Sequence, residues 1–172
     1  MNLLVIGNIV SLIGAVLMVL IGLIKDKKRI LMVQNAQFAI MGIGNLLLGG
    51  VSGAVANLVS IARNLYGLRF KMTTAGKVAF ILVQAALTAV TNCNGWVGWL
   101  PVAAAAAFTW VMDTPNPIKM KNMIIFGQVC WCVFDASISN YTALVFDVIT
   151  IISNLAGIYM IMHPGKVARG EA

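Results

Sequence analysis

The sequence predicts an all-α transmembrane protein of seven helices, and three observations support this prediction. The chain has 172 residues, of which 60% are hydrophobic and only 10% are charged. Soluble domains are about 45–50% apolar and about 25% charged, so this chain has too few polar residues to cover its surface in water. Apolar runs of about 17–25 residues, the length that crosses a bilayer, follow one another with short connections. Basic residues cluster in every second connection.

The apolar runs divide the chain into seven predicted helices. With a bilayer-crossing length as the guide, the helices cover roughly residues 3–24, 30–48, 51–68, 77–93, 96–112, 122–139 and 141–162. The fourth run is the weakest candidate, and Pro101 is expected to kink the fifth helix near its start. No basic region precedes the run that begins at Leu3 and no cleavage-site pattern follows it, so we expect the first helix to remain as an anchor.

The basic residues predict the orientation of the chain. Turns 49–52, 92–95 and 139–141 contain no Lys or Arg, whereas basic clusters follow helices 1, 3, 5 and 7. These clusters are Lys25, Lys27, Lys28 and Arg29; Arg69, Lys71 and Lys77; Lys119 and Lys121; and Lys166 and Arg169. Because cytoplasmic loops are enriched in Lys and Arg, the N-terminus is predicted outside and the C-terminus inside the cytoplasm. Topology thus explains the net charge of +7; the expected partner is the lipid bilayer, not nucleic acid.

An internal repeat at an offset of 90 residues relates helices 1–3 to helices 5–7. The chemically similar pairs are Asn45 with Asp135, Asn57 with Asp147, Ser60 with Thr150, Asn64 with Asn154, and Gly67 with Gly157. Two three-helix repeats joined by one helix run in the same direction across the membrane, a plan that some transporters use. The predicted units are the first repeat at 1–72, linker helix 4 at 73–95, and the second repeat with a short cytoplasmic tail at 96–172.

The repeat places a polar stripe on helix 3 and a matching stripe on helix 7. At 100° per residue, each set falls on one face of its helix. The polar members are Asn57, Ser60 and Asn64 on helix 3, and Asp147, Thr150 and Asn154 on helix 7. Polar stripes of this kind face a solute path or act as interhelical glue, worth about 0.6 kcal/mol per bond. Both interpretations stay open, and the repeat favours a path between two stripes that face each other.

Four side chains are especially hard to explain as lipid-facing. Arg63 has three interpretations: it snorkels to the cytoplasmic surface, pairs with a buried acid, or binds an anionic solute. Asp147 is the strongest single candidate, because an aspartate inside a spanning helix could bind solute hydroxyls or carry a proton. Asp135, close to the end of helix 6, is interpreted as interfacial and solvated. Trp131 packs or contacts lipid, or its ring stacks on a solute.

The sequence contains no motif for catalysis, a metal or a cofactor. Cys93, Cys130 and Cys132 have no neighbouring histidine or second cysteine pair, so they are interpreted as small apolar side chains. No Ser–His–Asp set, P-loop or dinucleotide fingerprint is present, and the single histidine is His163. We therefore predict neither enzymatic activity nor a cofactor, and a membrane enzyme is only the third class considered.

Three stretches of the chain resemble the YgjV-like bacterial inner membrane proteins: LLLGGVSGAVANLVSIARNLYGLR, LPV and CWCVFD. The resemblance covers most of the length and implies a location in the bacterial inner membrane. The three-plus-one-plus-three layout is similar to that of the SWEET and PnuC transporters and their PQ-loop relatives, which move sugars or vitamin-like nucleosides, usually by facilitated diffusion. In SWEET proteins an asparagine from each repeat flanks the sugar. That similarity implies the same role for Asn64 and Asn154, with Asn57 and Asp147 as second choice.

The working hypothesis is a transporter of a small polar solute that operates by alternating access. The expected solute-binding residues are Asn64, Asn154, Ser60, Thr150, Asn57, Asp147, Arg63 and Trp131. The alternative is a non-transporting scaffold or partner subunit, in which the stripes only hold helices together; a homo-oligomer is open in either case. A transporter requires a cleft of at least about 300 Å³, whereas the stripes of a scaffold pack shut.

Overall fold

The computed structural model describes residues 2–21 and 27–163, and these residues form seven α-helices and no β-strand. The helices are α1 (Leu3–Ile21), α2 (Lys27–Leu47), α3 (Val51–Arg69), α4 (Thr74–Thr91), α5 (Leu100–Val111), α6 (Pro117–Ser137) and α7 (Tyr141–Met162). The predicted all-α class and helix count are confirmed. The predicted end of the first helix, 22–24, lies outside the described residues, as do Lys25, Lys166 and Arg169 of the basic clusters.

Helices α4 and α6 begin earlier than the apolar runs predicted, because polar caps extend them. The Thr73 hydroxyl accepts a hydrogen bond from the N–H of Gly76 at 3.1 Å, so α4 begins at Thr74. Asn116 Oδ1 accepts from two N–H groups of the first turn of α6, at 3.0 and 3.1 Å. Side chains that satisfy the free N–H groups of a first turn fix where a helix begins.

The predicted fifth helix, 96–112, is not α-helical over its first residues. Residues Gly95–Trp99 form a 3₁₀ turn, and the α-helix begins only at Leu100. Pro101 lies in the first turn of α5. At that position the missing N–H would have had no partner within the helix, so proline is well suited to the start of α5.

The helices pack as two groups of three with α4 at the edge. Helix α2 packs between α1 and α3, and α6 packs between α5 and α7. The two groups meet where α1 contacts α7 and where α3 contacts α5, while α4 lies against α3 and α5. Asn8 of α1 strengthens the first junction: its Nδ2 donates to the carbonyl of Ser139 at 3.0 Å, and its Oδ1 accepts from the N–H of Thr142 at 3.1 Å.

The turns between α2 and α3 and between α6 and α7 have the same backbone hydrogen bonds. In the first, the N–H of Gly50 donates to the carbonyl of Asn45 at 2.7 Å; in the second, the N–H of Asn140 donates to that of Asp135 at 2.9 Å. In both turns the residue before the donor has a positive φ, +79° and +58° respectively. A left-handed residue followed by this bond is a common way to end a helix. The two turns are 90 positions apart.

Polar side chains lie inside the bundle and large apolar side chains lie outside. Asn45, Asn64 and Asn140 are fully buried, whereas Leu58 and Ile152 are 63% and 60% exposed. This arrangement suits a hydrocarbon environment, in which apolar side chains face lipid and polar ones face protein or a cavity. By length and composition, α4 and α7 could each cross a membrane. Helix α4, expected to be the weakest, is thus one of the two described helices that meet this criterion.

Candidate functional site

A cavity of about 360 Å³ lies between the two groups of three helices. Side chains from six helices line it, with none from α4. Of the eight predicted site residues, six are in its wall: Asn57, Ser60, Arg63, Trp131, Thr150 and Asn154. The volume is within the range of about 300–1,000 Å³ that is usual for small-molecule sites. The two polar stripes therefore face a common space and are not packed against each other.

A smaller cavity of about 90 Å³ adjoins the first. The two cavities share the side chains of Gln37, Asn57, Gln128 and Trp131. The smaller cavity adds Asp147, the seventh predicted residue, together with Asp135. The predicted outer pair, Asn57 and Asp147, thus lines one small chamber beside the main cavity.

Arg63 is buried among side chains of α3 and α5, at 2% exposure. Its Nη1 donates to Thr109 Oγ1 at 3.0 Å, its Nη2 donates to Asn64 Oδ1 at 3.2 Å, and its guanidinium lies 5.0 Å from the ring centre of Phe108. In the described part of the chain it has no carboxylate partner. The structure thus contradicts the snorkelling interpretation and gives the paired interpretation no support. It leaves a cationic group in the wall of the main cavity.

Asn64 lies behind the cavity wall. It is fully buried, and its Nδ2 donates to Gln34 Oε1 of α2 at 3.0 Å while its Oδ1 accepts from Arg63. Its amide therefore connects α2 to α3 and orients the guanidinium. Of the two asparagines that were expected to flank a solute, the cavity wall contains only Asn154.

The polar side chains on α7 bond to their own helix. Thr150 Oγ1 donates to the carbonyl of Phe146 at 2.8 Å, and Asn154 Nδ2 donates to the carbonyl of Thr150 at 2.8 Å. Such bonds satisfy one donor each and tie the stripe to no other helix. The acceptor oxygens of both side chains stay available to a cavity occupant.

Four other polar side chains of the walls have no hydrogen-bond partner among the described residues: Gln37, Asn57, Ser60 and Gln128. Buried polar groups are nearly always hydrogen-bonded, to protein or to water. Interhelical glue would show such bonds, as Asn64 does. Gln37, Asn57 and Ser60 are buried and Gln128 is half-buried, so water or another occupant of the cavities can use their hydrogen-bonding capacity.

Asp135 is 1% exposed, which contradicts its interpretation as a solvated interfacial residue. Asn140 Nδ2 lies 3.2 Å from both Asp135 Oδ1 and Asn45 Oδ1, so one amide group connects α6, α7 and α2. Asn45 and Asp135 are a repeat-related pair. Their match at the 90-residue offset was the available signal that both are buried near the junction of the two groups.

The glutamines of the walls were missed by the sequence reasoning. Gln34 and Gln37 lie on α2, and Gln128 lies on α6. The criterion that selected the stripes, a polar side chain inside an apolar run, applies equally to these three. They were overlooked because their positions have no chemically similar counterpart at the repeat offset.

Comparison with known proteins gives a family. No curated protein and no solved structure matches the chain. The family Imp-YgjV, described as bacterial inner membrane protein, matches residues 5–163. That match spans nearly all of the chain and includes all seven helices except the first two residues of α1. The apolar exterior and the buried polar interior agree with that description, and the chain belongs to the Imp-YgjV family of bacterial inner membrane proteins.

Proposed function

We propose that the protein is a membrane transporter whose central cavity binds a small polar solute that carries an acidic group. The observation that carries the proposal is the set of unpartnered polar side chains, Gln37, Asn57, Ser60 and Gln128, around a cavity of about 360 Å³. A site built to hydrogen-bond a solute contains such groups. A polar solute pairs with them, whereas an apolar solute leaves them unpaired.

The acidic group of the solute follows from Arg63. The guanidinium has five N–H donors, and it makes three bonds, to Thr109 and Asn64. The remaining N–H groups have no acceptor in the described part of the chain. Arginine binds carboxylate and phosphate through paired N–H donors, so an acidic solute would supply both the charge and the acceptors that the cavity lacks. Trp131, Phe38 and Phe108 provide apolar walls for the rest of the solute.

Alternating access follows from a three-plus-one-plus-three arrangement, with α1–α3 and α5–α7 as repeats and α4 as linker. The two similar turns, 90 positions apart, support the repeat. The contacts between the two groups of helices support it too. When α1 is exchanged for α5 and α7 for α3, the α1–α7 contact becomes the α5–α3 contact. In a parallel-repeat transporter, the halves move relative to each other around a site at their interface.

The proposed orientation has the N-terminus outside and the C-terminus in the cytoplasm of a bacterium. Lys77 at the start of α4 forms an ion pair with Asp113, which follows α5, and its Nζ donates to the carbonyl of Trp110 at 3.1 Å. These groups lie in or next to the connections that the charge pattern assigns to the cytoplasmic side. Their contact supports placing both connections on the same side of the membrane.

Uptake by purified protein in liposomes tests the proposal. We would measure entry of labelled succinate, glutamate and glycerol 3-phosphate, with glycerol and glucose as uncharged probes. The expected result is saturable entry of at least one acid, which Arg63→Gln reduces tenfold or more. Arg69→Gln is the matched control, because it removes an exposed cation from the end of the same helix. A wild-type protein that moves no member of either set would contradict the proposal.

The scaffold is the second candidate, and the Asn45–Asn140–Asp135 contacts favour it, because these buried polar side chains bond across helices as interhelical glue does. The same uptake experiment separates the two candidates. A scaffold would give no entry of any probe, although the protein is folded and correctly inserted.

A further inference from the structure

Two buried carboxyl groups meet beside the main cavity. Asp135 of α6 is 1% exposed and Asp147 of α7 is 6% exposed. Both side chains line the smaller cavity. Two ionised carboxylates have only acceptor oxygens and repel each other when they are buried together. One proton on the pair removes that repulsion and supplies a hydrogen-bond donor.

No basic side chain in the described part of the chain neutralises this pair. The helices α1, α2 and α3 contribute only uncharged groups to the small cavity, among them Gln37 and Asn57, and α5 has no titratable residue. Cys132 lies about one turn before Asp135 on α6 and carries a thiol, which is not a base. Arg63 lines the main cavity but not the smaller one. Two adjacent anions in this environment would repel each other, so a shared proton is the simplest neutralising occupant.

One oxygen of the pair is free to exchange that proton. Asp135 Oδ1 accepts from Asn140 Nδ2 at 3.2 Å, whereas Asp147 Oδ2 is buried without a partner among the described residues. The small cavity, about 90 Å³, has room for about three water molecules at roughly 30 Å³ each. Asn57 and Gln128 line both cavities, so the small cavity lies directly beside the main one.

We propose that Asp135 and Asp147 bind one exchangeable proton, and that this pair is the ion-coupling site of the transporter, which rests on the function proposed above. A metal cation would need several ligands, and the described residues contain no group of three or more His, Cys, Asp or Glu side chains that could hold one, whereas a proton needs only the two carboxyl groups. The pair carries one negative charge with the proton and two after releasing it. A proton that travels with a monoanionic solute cancels its charge, so an inside-negative membrane potential does not oppose entry.

Infrared spectroscopy of the protein in liposomes tests the shared proton without any transport. The carbonyl stretch of a protonated carboxylic acid is separate from that of a carboxylate. At neutral pH, wild-type protein should show this band, and both Asp135→Asn and Asp147→Asn should remove or shift it. The control is Asp113→Asn, which removes an exposed carboxylate and should leave the band unchanged. Absence of the band in wild type, or a band unchanged in both variants, would overturn the proposal.

A pH-sensitive dye inside the liposomes tests the coupling. Entry of succinate, glutamate or glycerol 3-phosphate should acidify the interior, and Asp147→Asn should abolish that acidification with the cavity residues intact. Entry of solute without acidification would overturn the coupling and leave the proposed transport standing. If no solute enters, coupling fails together with the proposed function, and the infrared band still decides whether the pair holds a proton.

Discussion

Single polar side chains determine whether the interior holds a solute or only holds helices together. Asn64 and Asn140 make bonds between helices, whereas Asn57 and Ser60 face cavities without a partner in the described chain. The sequence places Asn57, Ser60 and Asn64 in one apolar run and cannot separate these roles. Residues of the same chemistry differ here only in what packs opposite them.

Asn140 offers the sharpest stability prediction at this scale. Its Oδ1 caps α7 by accepting a hydrogen bond from the N–H of Ala143 at 3.3 Å. Its Nδ2 donates to Asn45 Oδ1 and Asp135 Oδ1. Asn140→Ala removes the cap and leaves buried acceptors unpaired, so we expect a loss of about 3 kcal/mol in unfolding free energy. Thermal or denaturant unfolding in detergent measures it.

The matched control is Asn116→Ala, which removes the cap of α6 at an exposed site. Among the described residues, the side chain of Asn116 has only the N–H groups of that first turn as partners, so its loss should cost about 1 kcal/mol. Equal losses in the two variants would show that the Asn140 bonds across helices contribute nothing.

At the scale of elements, the sequence predicted the existence of the helices well and their ends poorly. Apolar runs identified all seven helices because burial in lipid requires long apolar segments. Helices α4 and α6 begin earlier because Thr73 and Asn116 cap them, and caps are local polar contacts that hydropathy does not report. The 3₁₀ turn before α5 was missed because GWVGW is apolar and continues the run.

The turn between α2 and α3 supplies a prediction that isolates backbone conformation. Gly49 has a φ of +79°, and a Cβ added there would have no atom within 4 Å. Gly49→Ala therefore meets no steric clash with neighbours, and its cost is that of a left-handed backbone, about 1–2 kcal/mol of lost stability.

Gly67→Ala is the control, because a Cβ at that position also meets open space while the residue lies within α3. Alanine in a helix is more stable than glycine by about 0.5–1 kcal/mol, so this variant should gain stability. Unfolding measurements on the two variants should therefore shift in opposite directions. A shift in the same direction would contradict the positive φ at Gly49.

At the scale of the whole molecule, the sequence predicted a polar interior from the repeat. Seven of the eight predicted site residues line the two cavities, and Asn64 does not. The shape of the cavities, the contribution of three glutamines and the meeting of Asp135 with Asp147 depend on the rotation and packing of whole helices. A pattern along one chain contains no information of that kind.

The orientation of the bundle is a further prediction at this scale. Reporter fusions at the C-terminus should give a fluorescent green fluorescent protein and an inactive alkaline phosphatase, because only a cytoplasmic terminus produces that pair of results. Fusions after residue 94 should give the reverse pair. An active phosphatase at the C-terminus would contradict the orientation derived from the basic clusters.

The central claim, that the stripes line a water-filled solute path, is tested most directly by single cysteines in a background without Cys93, Cys130 and Cys132. A membrane-impermeant thiol reagent would probe cysteines at Ser60 and Thr150, with Leu58 and Ile152 as lipid-facing controls on the same helices.

The account predicts that the two cavity positions are labelled, that an acidic solute from the uptake set protects them, and that the two control positions are not labelled. Absence of labelling at Ser60 and Thr150 from either side of the membrane, in folded protein, would contradict the account.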